Sequence, residues 1–543
     1  METRSSVAAA AIPAVLALVT AAGLSAGTGP ATPGSEPQGR SPQTVRVTGE
    51  RYPRLVIRNG MLISGRGTPA EGPVDIVVAG DTIVDVIPVD PVSLGGYGRE
   101  WKRPEGDRVI DATGMYVMPG LVDMHTHIPP DGGKAGPRAF DYAYKLWLGH
   151  GVTTLRDAGA DAGLETLVEH RRQAQETTAP IPRLVLYKRW PNVSRQRDKG
   201  HTPDEARALV RQYKERGADG IKVSKGPGHY PDVIEAICAE VKALGMNGVA
   251  VDLKVSETDA LIASEAGVTS IEHWYGVPDA AIPGTQRFPP DYNYWNEEDR
   301  FRWAGHLWRE AERRPEAIVA VLDRMIANGT VWDPTMAVYE GNRDLARAKT
   351  LPWHARFTVP DLLEFWSPNP ANHGSYHANW KTSDEIAWRE NLAIWMKYVR
   401  LFFEKGGRLT VGSDAGSLYA LYGFTTIREL ELLQEAGIHP IDIVKIATVN
   451  AGEALGIERL RGIRAGYLAD LIVVDGNPLD NFKVLYGTGI ERVDGSGRLV
   501  RTGGVRWTIK NGVVFDARAL LDDVQAYVRE MAARKTTTSA ARE

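Results

Sequence analysis

Two histidines separated by one residue, His125 and His127, end an apolar run that follows Pro119-Gly120. In an extended strand alternate side chains point to the same face, so both imidazoles are expected side by side. Imidazole is the commonest metal ligand among protein side chains. The spacing therefore predicts two neighbouring ligands of one metal ion, although so short a motif also occurs by accident.

Two more polar residues close short apolar segments further along the chain: His273 ends the segment 270–273, and Asp414 ends the segment 409–414. A single histidine in such a place is more often a core residue than a ligand. Three imidazoles beside one carboxylate, however, are a ligand set that suits a divalent cation. The combination predicts a metal centre in which Asp414 also accepts a proton from water.

Lys222 lies in the apolar segment 218–223, where an unpaired ammonium group is costly to bury. One interpretation is an ion pair with a nearby carboxylate. The other is that its nitrogen carries a carboxylate derived from carbon dioxide, which turns a cation into an anion able to bridge two metal ions. The sequence leaves both open.

These residues are far apart in sequence, so a metal centre requires a fold that brings them together. The pattern of strands and helices in the middle of the chain predicts such a fold. Short apolar strands alternate there with helical segments, which is the pattern of parallel βα units. Eight candidate strands span residues 120–127, 153–157, 183–187, 220–223, 249–253, 270–273, 331–334 and 409–414. We therefore predict an α/β fold, a (β/α)8 TIM barrel, whose chemistry lies where strands end.

Short β-type runs with turn signals flank this region on both sides, and Asn59-Gly60 predicts a hairpin turn in the first set. The two sets are predicted to pair into one small β-sandwich domain built from residues 46–117 and 458–520. The barrel then occupies residues 118–457. Residues 521–543 form a C-terminal helix and tail, with an amphipathic helix predicted over 520–533 and a frayed end after it.

Two barrel connections, residues 274–315 and 338–381, are too long for plain loops. Ten of the fourteen tryptophans lie between Trp274 and Trp395, which argues against disorder. These insertions are predicted to form a lid or an oligomer contact above the barrel mouth, so we expect a homo-oligomer. Simple packing of the tryptophans onto the barrel is the alternative.

The first residues of the chain are predicted to direct export and not to form part of the fold. A basic start is followed by the apolar run 7–24 and a spacer rich in Gly, Pro, Ser and Thr, so residues 1–45 are predicted to be a signal peptide and flexible spacer. An uncleaved membrane anchor is the alternative. We expect a periplasmic or secreted protein. Its one cysteine, Cys238, excludes an intramolecular disulfide.

The charge balance points to a small-molecule partner. The net charge of the 543 residues is only −4, so nothing in the bulk electrostatics favours nucleic acid or an anionic membrane. Candidate substrate contacts follow two of the predicted strands: Arg189 and Trp190 after the third, His229 and Tyr230 after the fourth. Ordinary loop packing is the alternative for these residues.

Taken together, the motifs resemble the amidohydrolase superfamily, within the group similar to imidazolonepropionase and the metal-dependent Xaa-Pro dipeptidases. The matching segments are Met118 to His127, Gly151 to Asp157, Ile271-Glu272-His273, Gly412-Ser413-Asp414 and Gly466 to Leu471.

The resemblance implies a role for each matching position. His125 and His127 would bind the more buried metal, and Lys222, as a carboxylated lysine, would bridge two metals. His273 would bind the second metal, and Asp414 would bind the first and shuttle protons.

One position departs from the pattern, because Asp252 ends the fifth strand where the family has a histidine. Asp252 is one candidate replacement, since carboxylate oxygen also serves zinc or manganese. The alternatives are an empty or weak second site, which leaves a one-metal enzyme, or a changed chemistry.

The resulting prediction is an exported hydrolase that binds one or two divalent metal ions, with zinc as the expected metal. The metal activates a water molecule that cleaves the C–N bond of an amide, lactam or dipeptide. Two alternatives stay open. One is a metal-dependent isomerase, cyclase or decarboxylase on the same barrel, and the other is a secreted binding protein that has lost strong metal binding.

Overall fold

The computed structural model of this chain describes residues 48–90, 103–191, 202–224, 230–253, 258–282, 297–369 and 374–540. The predicted signal peptide and spacer, and His229, lie outside the described residues. Among the residues described, no helix combines the length and apolarity that a membrane crossing requires.

Within residues 48–90 and 103–119, six strands precede the barrel. They are β1 (Glu50–Arg51), β2 (Arg54–Leu62), β3 (Glu71–Ala79), β4 (Thr82–Pro88), β5 (Arg108–Asp111) and β6 (Tyr116–Pro119). The hairpin turn predicted at Asn59-Gly60 is wrong, because β2 runs through both residues. Asn59 instead adopts a left-handed φ of 61° at a register shift, so the same local preference produces a bulge rather than a chain reversal.

Seven parallel strands form the barrel sheet, and each lies beside the next in chain order. They are β7 (Leu121–Thr126), β8 (Val152–Gly159), β9 (Arg183–Arg189), β10 (Gly220–Ser224), β11 (Gly248–Asp252), β12 (Ser270–Glu272) and β13 (Val331–Asp333). Their side chains are almost all buried, as expected for parallel strands covered on both faces.

The predicted eighth strand takes its place in the barrel without a continuous ladder. Residues 409–415 make isolated parallel bridges, Leu409 with Trp332 on one side and Ala415 with Thr126 on the other. The backbone N–H of Ser413 donates to the Asp123 carboxylate (2.9 Å) instead of to a neighbouring strand. The barrel is thus nearly closed, and the predicted α/β class is confirmed.

Helices connect and cover the strands, and several begin with proline at a first-turn position, where the missing N–H costs nothing. In chain order they are α1 (Ala139–Gly149), α2 (Leu164–Glu176), α3 (Pro203–Glu215), α4 (Pro231–Ala243), α5 (Ala260–Glu265), α6 (Val277–Ala281), α7 (Glu297–Ala304), α8 (Leu307–Ala311), α9 (Pro315–Ala327), α10 (Glu340–Arg343), α11 (Leu345–Lys349), α12 (His354–Phe357), α13 (Pro360–Trp366), α14 (Thr382–Glu404), α15 (Phe424–Glu435), α16 (Pro440–Lys445), α17 (Ala451–Ala454) and α18 (Ala517–Ala540). A π-helical turn spans Ile446–Asn450, and 3₁₀ turns span Met336–Tyr339, Glu458–Leu460 and Phe482–Leu485.

The last five strands are β14 (Leu471–Asp475), β15 (Ile490–Val493), β16 (Leu499–Thr502), β17 (Gly504–Lys510) and β18 (Val513–Asp516). Strands from both flanks share one sheet in the order β1-β18-β17-β14-β6-β2-β3-β4, with β5 beside β2, while β15 and β16 pair separately. A single residue, Gly120, joins this sheet to the first barrel strand. A side chain there would collide with Thr153, so glycine allows the close approach.

The described parts of the two insertions are largely helical, and half of their described tryptophans are fully buried packing residues. Three of them, Trp274, Trp308 and Trp366, are at most 1% exposed, as are Trp332 on β13 and Trp388 and Trp395 on α14. The tryptophans therefore fix the insertions onto the barrel, as the packing alternative holds, while the oligomer stays a prediction.

The C-terminal helix is longer than predicted. It runs from Ala517 to Ala540, through most of the segment expected to fray. Lys535, in that segment, forms ion pairs with Asp361 (2.9 Å) and Glu364 (2.5 Å) of α13, contacts that local sequence patterns do not reveal.

Candidate metal centre

Three of the predicted ligands meet at one end of the barrel. One ligand atom from each of His125, His273 and Asp414 lies within 4.8 Å of the others. His125 is near the end of β7, His273 follows β12, and Asp414 lies in the segment that replaces the eighth strand. The barrel therefore converts three distant sequence positions into one donor cluster.

The two oxygens of Asp414 face different histidines. Oδ1 lies 3.1 Å from His127 Nε2 and 3.7 Å from His125 Nε2. Oδ2 lies 3.8 Å from His273 Nε2. Asp414 thus stands between the His125–His127 pair and His273.

Unusual backbone geometry places two of these residues. His273 has a φ of 62° and Asp414 a φ of 47°, a left-handed conformation that residues other than glycine seldom adopt. Such conformations persist where the surrounding structure enforces them, and they concentrate at functional sites. Here both occur at the point where a barrel segment ends and its side chain turns into the cavity.

Burial and mutual charge determine the protonation of the cluster. Burial, reinforced by the charge of Lys222, lowers the pKa of His125 well below its usual value, which keeps the imidazole neutral as a ligand must be. Burial alone would raise the pKa of Asp414, but the three neighbouring histidines bring it well below the usual range. The centre therefore offers a neutral nitrogen on His125 and an anionic oxygen on Asp414 at neutral pH.

Lys222 projects from β10 into the same cavity and is fully buried. Its Nζ has no hydrogen-bond partner among the described residues, so the ion-pair interpretation finds no direct contact. Burial lowers its pKa to about 8, although Glu272 and Asp252 oppose the shift.

Asp252, which stands where a histidine was expected, also reaches the centre. It ends β11 and pairs in register with Ser224 of β10. Its Oδ2 lies 3.7 Å from His273 Nε2, and the side chain is buried. This position supports Asp252 as a replacement ligand, which stays a prediction.

A buried ionic network behind His125 was not predicted from the sequence. Glu272 Oε2 lies 2.6 Å from His125 Nδ1, and Arg156 Nη2 donates to both Glu272 oxygens at 2.7 Å. Ser270 Oγ bonds Glu272 as well (2.5 Å). Arg156 and Glu272 both lie within the motifs that carry the family resemblance, and that was the available signal.

Two further contacts fix the remaining ligands. Thr335, itself left-handed at a φ of 49°, hydrogen-bonds His273 Nδ1. Asp123 accepts hydrogen bonds from Ser413 N (2.9 Å) and Thr426 Oγ1 (2.7 Å), which anchors the segment that carries Asp414. Neither pairing has a signature in sequence, because both join residues far apart in the chain.

The cluster lies at the bottom of a cavity of about 410 Å³. The apolar residues of its wall include Ile128, Pro129, Pro130, Ala135, Leu362, Phe365 and Tyr422. Lys134 and Arg189 add cations to this lining. A cavity of this size and character suits a small molecule with both apolar and anionic parts.

The four predicted substrate contacts have different surroundings. Arg189 lines the cavity, held by Asp161 through Nε (2.9 Å) and by Ser224 through Nη1 (2.5 Å). Trp190 is buried in the core, its ring against that of Tyr213, and is absent from the described cavity wall. Tyr230 is 47% exposed at the start of α4, and His229 lies outside the described residues.

The residues present fit a divalent cation. The donor set of imidazole nitrogen and carboxylate oxygen is the one that zinc and related metals take. In both His125 and His273, Nδ1 points away from the centre and makes a hydrogen bond. These bonds orient the two imidazoles, as expected for metal ligands.

Comparison with known sequences supports this description. The sequence profile described as "Amidohydrolase family" matches residues 116–285 and 396–500, together about half of the chain. A probable imidazolonepropionase from Danio rerio is 33% identical over 102 residues, which is 19% of this chain. The match spans only 21% of that relative's length.

Two solved structures share the fold. A Xaa-Pro dipeptidase with methionine bound in its active site has a TM-score of 0.57 and 21% identity, covering 85% of this chain and all of that one. The bottromycin amidohydrolase AH has a TM-score of 0.62 and 19% identity, covering 92% of this chain and 94% of that one.

Proposed function

Since this chain belongs to the amidohydrolase family, we propose that it is a metal-dependent hydrolase that cleaves the C–N bond of an amide, lactam or dipeptide. One observation carries the proposal: donor atoms of His125, His273 and Asp414 converge within 4.8 Å in a cavity of small-molecule size. A cluster of this kind has a chemical use that a packed core does not require.

The proposed ligand roles are those that the family resemblance implies, and the distances within the cluster support them. His125 and His127 would hold one metal together with Asp414, whose Oδ1 faces both histidines. His273 would hold a second metal beside Asp252. A divalent cation bound in this cluster polarises a carbonyl oxygen and lowers the pKa of water from 15.7 to about 7.

Asp414 is the proposed proton carrier. Its carboxylate touches both histidine groups, which leaves it close to any water or amide nitrogen held in the cluster. It takes the proton of the attacking water and returns it to the leaving nitrogen.

The proposed substrate carries an apolar group and a carboxylate. The wall beside the cluster is mostly apolar, while Arg189 and Lys134 supply positive charge. The Xaa-Pro dipeptidase with bound methionine supports an amino-acid derivative in such a cavity. We therefore propose dipeptides or N-acyl amino acids as the substrate class, with Arg189 nearest the carboxylate.

Lys222 is proposed to carry the bridging carboxylate. Its amine is buried in the cavity beside the cluster, without a hydrogen-bond partner among the described residues. Loading the protein with isotope-labelled carbon dioxide and metal should give one carbamate signal per chain. Lys222→Met should abolish it, and a signal that survives that substitution would place the carbamate elsewhere.

Export is a further proposal, supported by the basic start and the apolar run 7–24. Fractionation of expressing cells, with N-terminal sequencing of the product, tests it. A protein retained inside the cell with an intact N-terminus contradicts it.

The main test measures metal content by elemental analysis of protein purified without chelator. The parent protein is compared with the Asp252→Ala variant purified in the same way. Two ions per chain that fall to one in the variant establish a binuclear centre with an aspartate at the end of β11. One ion in both removes Asp252 from the site. No ion in either contradicts the proposal.

A panel of dipeptides and N-acyl amino acids, assayed for release of free amine, then tests the reaction itself. Amine release that ends on chelation and returns with metal supports hydrolysis. A product isomeric with its substrate would instead show a non-hydrolytic enzyme.

A further inference from the structure

The C-terminal helix α18 contacts both walls of the active-site cavity, although none of its residues lines that cavity in the described part of the chain. One wall is the segment 128–135 after β7. The other is helix α13, which contributes Leu362 and Phe365.

The first wall is held by Tyr527. Its hydroxyl donates to the carbonyl oxygen of Ala135 (3.0 Å) and accepts from the backbone N–H of Arg138 (3.3 Å). Gly136, between them at a φ of 86°, has no room for a side chain because Tyr527 occupies that space. Tyr527 therefore fixes the path of a wall segment whose proline and glycine content gives it few ladder hydrogen bonds of its own.

The second wall is held by Lys535. It lies about two helical turns beyond Tyr527 and pairs with Asp361 (2.9 Å) and Glu364 (2.5 Å) of α13. Glu364 directly precedes the cavity residue Phe365. These pairs are partly exposed, so each alone contributes little stability, but both act on one short helix.

The two walls also meet each other. Lys134 Nζ lies 2.8 Å from the centre of the Phe365 ring, so the first wall contacts the second at the cavity itself. The spacing between the walls thus depends on the Tyr527 and Lys535 contacts, both made from α18.

The rest of α18 is anchored well away from the cavity. Lys145 of α1 bonds Asp523 (2.6 Å), and Leu521 fills the space that a side chain at Gly149 would need. The helix is therefore a fixed support for both walls and not a loose appendage.

We infer that α18 sets the width of the substrate cavity, with Tyr527 and Lys535 as positioning residues that act through Ala135 and α13. The inference rests on the proposed function only in calling the cavity a substrate site. Neither residue touches a ligand of the metal centre, so losing them should change substrate affinity and leave metal binding intact.

The test compares Tyr527→Phe and Lys535→Ala with Glu530→Ala, which breaks the exposed Glu530–Arg534 pair within α18. Amide hydrogen exchange is measured over residues 128–138, 360–366 and, as an internal reference, 121–126. Tyr527→Phe should speed exchange over 128–138 by roughly twofold to tenfold, the effect of one lost hydrogen bond, without change in 121–126. Lys535→Ala should speed amide hydrogen exchange over residues 360–366 by a similar factor.

With the best substrate of the amide panel, the same two variants should raise KM by roughly twofold to tenfold at nearly constant kcat and metal content. Unchanged exchange in both walls, or equal acceleration throughout the chain, would overturn the inference. A fall in kcat without a change in KM in these variants would also overturn the inference. If no amide is hydrolysed, the proposed function fails, while the exchange data still decide the role of α18.

Discussion

Nδ1 of His125 lies 2.6 Å from Oε2 of Glu272, and both side chains are fully buried. This contact leaves Nε2 of His125 to face Asp414, so it fixes which nitrogen can bind a metal. Glu272 is in turn held by Arg156 through two bonds of 2.7 Å.

Replacing Glu272 with Gln should weaken metal binding about 10- to 100-fold, the usual loss when the partner of a ligating histidine is altered. The amide keeps the shape but no longer stabilises the imidazole electrostatically. Metal titration with a competing chelator measures the effect. The matched control is Glu265→Gln on the barrel exterior, where Arg324 is the partner, and it should leave metal affinity unchanged.

Replacing Arg156 with Met should lower the free energy of unfolding by about 3–5 kcal/mol, because Glu272 is then left as a buried, uncompensated charge. Asp333, 3.7 Å from the same guanidinium, loses its cation as well. Urea denaturation measures the loss. Adding Glu272→Gln to the variant should restore part of the stability, and an equally unstable double variant would contradict the argument.

His150 should make the fold sensitive to acid. Burial lowers its pKa from 6.5 to about 4, although its Nδ1 bonds the carbonyl oxygen of Leu146 (2.7 Å). Between about pH 6.5 and pH 4, His150 is protonated in the unfolded chain but stays neutral in the folded chain. The free energy of unfolding therefore falls as the pH falls through this range. This one residue accounts for at most about 3 kcal/mol.

The measurement is the free energy of unfolding of His150→Gln across that pH range. The variant should lose stability less steeply than the parent chain. His439→Gln, at an exposed position, serves as the control and should keep the original slope. Parallel curves for His150→Gln and the parent would contradict the assignment.

Arg189→Met should raise KM for a carboxylate-bearing substrate about tenfold or more, because a charged hydrogen bond is lost, with a much smaller effect on the corresponding amide-capped substrate. The methionine keeps much of the side-chain volume. Steady-state kinetics with the matched pair of substrates distinguishes charge recognition from loss of packing. An equal effect on both substrates would indicate that Arg189 only supports Asp161.

Local sequence determined the class of fold and indicated most of the candidate ligand residues. The period-two spacing of His125 and His127, and the alternation of apolar strands with helices, are local patterns that survive without knowledge of the fold. Seven of the eight predicted strands lie where expected because buried parallel strands are short apolar runs with turn signals at both ends.

Only the tertiary structure decided what surrounds those ligands. Glu272 approaches His125 across 147 residues of sequence, and Tyr527 reaches Ala135 across 392, distances at which local patterns hold no information. The same limit explains the eighth barrel segment, in which Ser413 N–H bonds Asp123 and not a neighbouring strand. It also explains why the pairing of α18 with α13 through Lys535 was not predicted. The sequence alone thus determined which side chains can do chemistry, whereas long-range packing decided how each is oriented, because orientation depends on contacts between segments far apart in the chain.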